Sequence, residues 1–150
     1  MEEKIEIPIP EEYSDICPIS DAEFQAKMAL MVKEPGFEHA IRYVMHDIDF
    51  DAFCQGLMAI KSKNEFQIKI MQPFLAMLEA KTTNGISWGG LENLNKDTNY
   101  TFITNHRDIV LDASFMNVAL LRGGFDSTEV AIGNNLLILD WIETLVRLNK

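Results

Sequence analysis

The chain has 150 residues, of which 47% are hydrophobic and 24% are charged, and its formal net charge is -10. This composition is typical of a folded globular protein, and a single domain of this length buries roughly 70% of the surface that its unfolded chain exposes. The acidic charge argues against a nucleic-acid partner, because phosphates require a basic surface. It also gives no electrostatic help in binding anionic lipid.

The cysteines and the N-terminus indicate a cytoplasmic protein. Cys17 and Cys54 are too few and too far apart for a disulfide framework or a zinc site, so we expect both to be reduced. The first 13 residues, MEEKIEIPIPEEY, are acidic and lack the apolar region of a signal peptide. No apolar run approaches the ~20 residues that a membrane-spanning helix needs.

The first part of the chain, from about Ser20 to Lys81, has a helical pattern throughout. Two capping boxes, SDAE from Ser20 and SKNE from Ser62, predict helix starts. Asp49 is predicted to cap a further helix, and Pro35 is predicted to end the helix that begins at Ser20. Pro73 lies inside the last of these helices, where we expect a kink.

The second part of the chain, from about Gly85, has an alternating pattern. Residues Tyr100–Thr104 and the run EVAIG, residues 129–133, predict short strands. Apolar helices are predicted at about Ile109–Leu121, before Gly123-Gly124, and at about Leu137–Leu148. Strand and helix in alternation predict an α/β protein: an N-terminal helical region, residues 1–84, followed by the first part of a parallel sheet with flanking helices, residues 85–150.

A polar cluster follows the first predicted strand: Asn105, His106, Arg107, Asp108 and Asp112. Open α/β sheets bind ligands at the carboxyl ends of their strands, and a polar cluster is costly to bury there unless its members pair. A carboxylate beside an imidazole holds it in one tautomer, which leaves the other ring nitrogen able to take a proton from a hydroxyl. His106 is therefore a candidate general base, whereas His39 and His46 are expected to be structural or exposed.

The stretch GLENLNKDTNYTFITNHRDIVLD resembles the opening of the glycerolipid acyltransferases, which include the 1-acylglycerol-3-phosphate and, more distantly, the glycerol-3-phosphate acyltransferases. The residues that carry the resemblance are Gly90, Glu92-Asn93-Leu94, the apolar run Tyr100–Thr104 and Asn105-His106. The later stretch EVAIGNNLLILDWIETLVRLNK is similar to the family's second strand and helix. The resemblance covers roughly residues 85–150.

The resemblance implies a function in phospholipid biosynthesis. His106 would deprotonate a glycerol-phosphate or lysophospholipid hydroxyl, which attacks the thioester of acyl-CoA or acyl carrier protein. It implies a catalytic aspartate and a reaction that needs neither a metal nor a further cofactor. It also implies a cytoplasmic protein that contacts the inner membrane peripherally.

This sequence departs from the family pattern in two respects. The family leaves four residues between histidine and aspartate, so Leu111 occupies the expected position. Asp112 could still orient His106 if a bulge absorbs the extra residue; alternatively Asp108 does so, although Asp108 also suits a helix cap. The family's phosphate-binding segment would follow Lys150, so we expect this chain to be the N-terminal portion and inactive alone. Arg107 could contact phosphate or could simply be solvated.

Two other interpretations remain. The methionine-bearing helices could form a protein-interaction module without catalysis, with the α/β half as its scaffold, because methionine adapts to irregular partner surfaces; the more usual place for such residues is the core. His106, Asp108 and Asp112 could also bind a metal, although catalytic zinc sites favour several histidines.

Overall fold

The computed structural model describes residues 10–105 and 107–149, and the regular elements within them are helical. The α-helices are α1 (Asp21–Met31), α2 (Pro35–Val44), α3 (Phe50–Met58), α4 (Lys63–Phe66), α5 (Gln72–Thr82), α6 (Leu111–Arg122) and α7 (Asp140–Asn149). A π-helical turn, Gln67–Met71, joins α4 to α5, and 3-10 turns lie at Glu11–Ile16, Leu91–Asn93 and Asn134–Leu136.

The predicted helix starts in the first part of the chain are confirmed. α3 begins after Asp49, whose side chain accepts a hydrogen bond from the N–H of Ala52, and α4 begins after Ser62, which accepts from the N–H of Glu65. α1 also begins after Ser20, but there the serine hydroxyl donates to the Glu23 carboxylate at 2.6 Å instead of accepting from the backbone. Pro35 opens α2, a position that suits its fixed φ and missing N–H.

The distortion predicted near Pro73 takes the form of the π-helical turn that precedes it. Proline has no N–H to donate to the preceding turn, and its ring crowds the carbonyl four residues earlier. The helix therefore widens over Gln67–Met71 before α5 continues through Pro73.

The prediction of an α/β fold with a parallel sheet is wrong: the described residues contain no β-strand. Tyr100–Thr104 and residues 129–133 lie in irregular backbone, and Ile103 is 94% exposed. The alternating sequence favours extended backbone, but a strand also needs a neighbour to complete its hydrogen bonds. No described segment forms backbone hydrogen bonds with Tyr100–Thr104. The expected sheet edge is therefore not found in the described residues, and residues 107–110 lead into α6 as irregular backbone.

Helix α7, the last one in the chain, packs against the N-terminal helices. The hydrophobic core combines residues of the helical region with Leu148 of α7, and Trp141 and Leu145 pack against it. Its fully buried side chains include Phe24, Met28, Met31, Phe37, Leu57, Ile60, Phe66 and Leu148. Two of the methionines that could have formed a partner surface, Met28 and Met31, thus belong to this core.

Trp141 determines how closely α7 approaches α2. Its ring lies edge-on to Phe37 with centroids 6.2 Å apart, and Phe37 in turn lies 6.2 Å from Phe50. The indole occupies the space beside Gly36, where an added Cβ would lie 2.5 Å from Nε1. α2 therefore needs a glycine at this position. A separate contact ties α7 to the residues before α1, since the carbonyl of Arg147 accepts from the N–H of Ile19 at 3.0 Å.

Replacement of Gly36 by alanine tests this packing. We expect Gly36→Ala to lower the free energy of unfolding by about 1–3 kcal/mol in urea denaturation, because the new methyl group must displace the Trp141 ring. Gly56→Ala is the matched control, since no atom lies within 4 Å of a Cβ at this position in α3. It should raise stability by about 0.5–1 kcal/mol through helix propensity. Equal effects of the two substitutions would contradict the packing.

Candidate functional site

The carboxylate of Asp112 closes the loop that precedes α6. Its Oδ2 accepts hydrogen bonds from the backbone N–H of Arg107 at 2.8 Å and of Asp108 at 2.9 Å. Asp112 lies in the first turn of α6, where a negative charge interacts favourably with the helix dipole. These two bonds fix the backbone immediately after position 106 relative to the helix.

The carboxylate of Asp108 caps the same helix. Its Oδ1 accepts from the backbone N–H of Val110 at 2.9 Å and of Leu111 at 2.7 Å. These N–H groups belong to the start of α6, where the helix itself offers them no acceptor. The interpretation of Asp108 as a helix cap agrees with this geometry.

The structure describes three of the four predicted site residues. Asp108 and Asp112 come together at the start of α6, and Arg107 is exposed, with its backbone N–H bonded to Asp112. The proposed base, His106, lies outside the described residues. The choice between Asp112 and Asp108 as its orienting acid, and a phosphate contact by Arg107, stay predictions.

A cleft of about 530 Å³ lies beside this loop. One wall is the first part of α6, with Asp112, Ala113 and Met116, and the opposite wall is the segment of residues 128–133. Asp108, Asp112 and Glu129 contribute carboxylates, whereas the described lining contains no lysine or arginine. The electrostatics of the described lining therefore favour neutral or cationic groups over phosphate.

Asn117 of α6 holds the opposite wall of the cleft in place. Its Oδ1 accepts from the backbone N–H of Thr128 at 2.7 Å and from the Thr128 hydroxyl at 3.1 Å. Sequence analysis missed this role, although an amide in an otherwise apolar helix face was a signal that could have revealed it. The asparagine ties Thr128, where this wall begins, to the same helix that carries Asp112.

An apolar groove of about 410 Å³ adjoins the cleft. Gly90, Leu91 and Leu94, which belong to the acyltransferase-like motif, line it together with Trp88 and the apolar side chains of α6. Phe102 and Met116 line both the groove and the cleft, so the two are continuous. The sequence did not predict this groove, because its lining comes from separate stretches of the chain, residues 86–94, Phe102 and residues 115–120.

An ion pair joins the walls of the groove. Arg122, in the last turn of α6, donates Nη1 to Glu79 Oε1 at 3.1 Å and Nη2 to Glu79 Oε2. The arginine hydrogen bonds lower the pKa of the Glu79 carboxyl below its usual value. The same pairing raises the pKa of Arg122. This carboxylate therefore stays ionised at neutral pH.

Within residues 10–105 and 107–149, a range that excludes His106, no group of three or more His, Cys, Asp or Glu could hold a metal ion. None of the helices described is long and apolar enough to cross a membrane.

Comparison with known proteins gives no match: no family model, no curated protein and no solved structure is similar to this chain at a significant level.

Substitution of Asn117 tests the construction of the cleft. Asn117→Ala should reduce the free energy of unfolding by about 1–3 kcal/mol in urea denaturation, because the half-buried N–H of Thr128 loses its acceptor. Thr128→Val removes only the hydroxyl and keeps the backbone hydrogen bond, so we expect a smaller loss. If Thr128→Val is as unstable as Asn117→Ala, the backbone hydrogen bond to Asn117 does not hold this wall.

Proposed function

We propose that this chain carries the hydroxyl-activating part of a glycerolipid O-acyltransferase that acts in phospholipid biosynthesis. His106 serves as the general base, and the acyl group comes from acyl-CoA or acyl carrier protein. The acceptor is a glycerol-phosphate or lysophospholipid hydroxyl. The proposal includes no metal and no cofactor beyond the acyl donor.

The observation that carries the proposal is the Asp112 carboxylate bonded to the N–H groups of Arg107 and Asp108. In the sequence this carboxylate lies six positions after His106, one residue later than the family pattern expects. The motif Gly90-Leu91-Glu92-Asn93-Leu94 supplies independent support, because three of its residues line a groove that is continuous with the cleft. An apolar groove continuous with the cleft suits a fatty acyl chain.

The described lining of the cleft limits what these 150 residues can do by themselves. It holds three carboxylates and no cationic side chain. A phosphate-bearing acceptor needs positive charge nearby, and Arg107 alone is a weak source of it. We therefore expect little or no acyl transfer to phosphate acceptors by these 150 residues alone, so the proposed base is assayed in the protein as its gene encodes it.

Substitution of His106 tests the proposed reaction. His106→Ala should lower kcat for acyl transfer to glycerol 3-phosphate or its monoacyl form by about 10²–10⁴-fold, the usual contribution of a general base. The rate is followed by release of free coenzyme A from acyl-CoA, or of the carrier thiol from acyl carrier protein. Circular dichroism should show unchanged helix content.

His39→Ala is the matched control for this experiment. His39 is exposed on α2 and lies outside the cleft lining, so its removal should leave kcat unchanged. Full activity of the His106→Ala variant, or an equal loss in both variants, would refute the proposed base.

Peripheral contact with a membrane is part of the same proposal. Ile103, Ile109 and Val110, which flank the Asp112 loop, are 94%, 53% and 62% exposed. An apolar rim beside the site would bring the loop to a lipid acceptor. Because the net charge is -10, we expect stronger binding to neutral than to anionic lipid.

Vesicle co-sedimentation measures this contact. Ile103→Ser combined with Val110→Ser should reduce the fraction bound to phosphatidylcholine vesicles, because the area that can enter the lipid is lost. Tyr43→Ser is the control, since Tyr43 is 73% exposed on α2, away from the rim. Undiminished binding by the double variant would remove the rim from the proposal.

The second candidate is a helical protein-interaction module without catalysis. The observation in its favour is the exposure of Leu30 and Tyr43, at 62% and 73%, on the helical region. Such a module would keep its partner after His106→Ala, whereas the enzyme would lose turnover and keep its fold.

A further inference from the structure

The segment that carries Trp88 and the acyltransferase-like motif is held by side chains rather than by backbone pairing. Among the described residues, no backbone-to-backbone hydrogen bond joins residues 84–89 to another segment. The N–H of Gly85 donates to the Thr83 hydroxyl at 3.0 Å, and the N–H of Ile86 donates to Glu79 Oε1 at 3.2 Å. The position of the segment therefore depends on α5 and its Glu79 side chain.

Glu79 joins this segment to α6 through Arg122. Its Oε1 accepts from both the Ile86 backbone and Arg122 Nη1, while Oε2 accepts from Nη2. Only 14% of the Glu79 side chain is exposed, so the contact is protected on one side from solvent. A planar guanidinium that binds both oxygens of a carboxylate fixes direction as well as distance. The Glu79 carboxylate thus holds both walls of the apolar groove in position relative to α5.

Two further contacts hold the same wall against α6. The Arg122 guanidinium carbon lies 6.0 Å from the centroid of the Trp88 ring, a cation–π arrangement. Leu91 approaches the end of α6 so closely that a Cβ at Gly123 would lie 2.5 Å from its Cδ1. These contacts set the width of the groove between α6 and the segment that carries Trp88 and Leu91.

We propose that Glu79 and Arg122 form a positioning pair that sets the width of the apolar groove and so controls how an aliphatic substrate enters the adjoining cleft. A partly exposed ion pair contributes little to global stability. Its loss should therefore change the geometry of the groove much more than the unfolding of the protein. The link to substrate entry rests on the proposed acyl transfer, whereas the effect on the groove wall does not.

Amide hydrogen exchange followed by NMR tests the groove wall in the chain itself. Glu79→Ala should speed exchange of the Ile86 amide by about tenfold, because its acceptor is removed. Glu79→Gln keeps an acceptor oxygen and should give a smaller increase. The matched control is Glu38→Ala, which breaks an exposed ion pair with Arg42 on α2 and should leave Ile86 unchanged.

Fluorine NMR of protein labelled with 5-fluorotryptophan provides a second measurement. The chain has two tryptophans, so Arg122→Met should shift the resonance of Trp88 and leave that of Trp141 in place. Unchanged exchange at Ile86 together with an unmoved Trp88 resonance would overturn the proposal. Equal acceleration of exchange throughout the protein would also overturn it, because the pair would then act only on global stability.

The effect on substrate entry is measured as KM and kcat for acyl transfer by the protein as its gene encodes it. Glu79→Ala should raise KM for a long-chain acyl donor severalfold and leave kcat at saturation within about twofold, the pattern of lost binding rather than lost chemistry. A fall in kcat with unchanged KM would overturn the control of substrate entry. Absence of any His106-dependent turnover in the wild type would instead refute the proposed function, and exchange and fluorine NMR would still decide the positioning role.

Discussion

The two hydrogen bonds that the backbone N–H groups of Arg107 and Asp108 donate to the Asp112 carboxylate are the interaction on which the candidate site depends. They give the backbone from Arg107 to Asp112 a defined shape at the start of α6. Asp108 reinforces that turn by capping the helix. Because both carboxylates bind backbone, they stabilise the loop whatever chemistry His106 performs. In the sequence the two acids follow the candidate base by two and six positions.

The position of α6 links this loop to the rest of the molecule. Its middle carries Asn117, which fixes the far wall of the cleft, and its last turn carries Arg122, which binds α5 through Glu79. Separately, α7 returns to the N-terminal helices and buries Leu148 among their aromatic side chains. Residues far apart in the chain thus share one core, and the C-terminal stretch contributes to the packing of the helical region.

Local signals in the sequence predicted local structure well. Asp49 and Ser62 start helices because the capping bond needs only residues within one turn, and Pro35 opens α2 for the same kind of reason. Tyr100–Thr104 failed as a strand because a ladder needs a partner segment that alternation cannot supply. The cap at Asp108 was foreseen, whereas the Glu79–Arg122 pair was not. Its residues are separated by 43 positions, and no periodicity joins them.

The most direct test of the central claim is the tautomer of the His106 ring, read from side-chain nitrogen chemical shifts at a pH where the imidazole is neutral. The account predicts a single tautomer in the wild-type protein and a mixture in Asp112→Asn, because an amide no longer provides a carboxylate to hold the ring proton. Loss of the single tautomer in Asp108→Asn alone would transfer the orienting role to Asp108. A tautomer mixture in the wild type, or one tautomer that neither substitution disturbs, would contradict the claim.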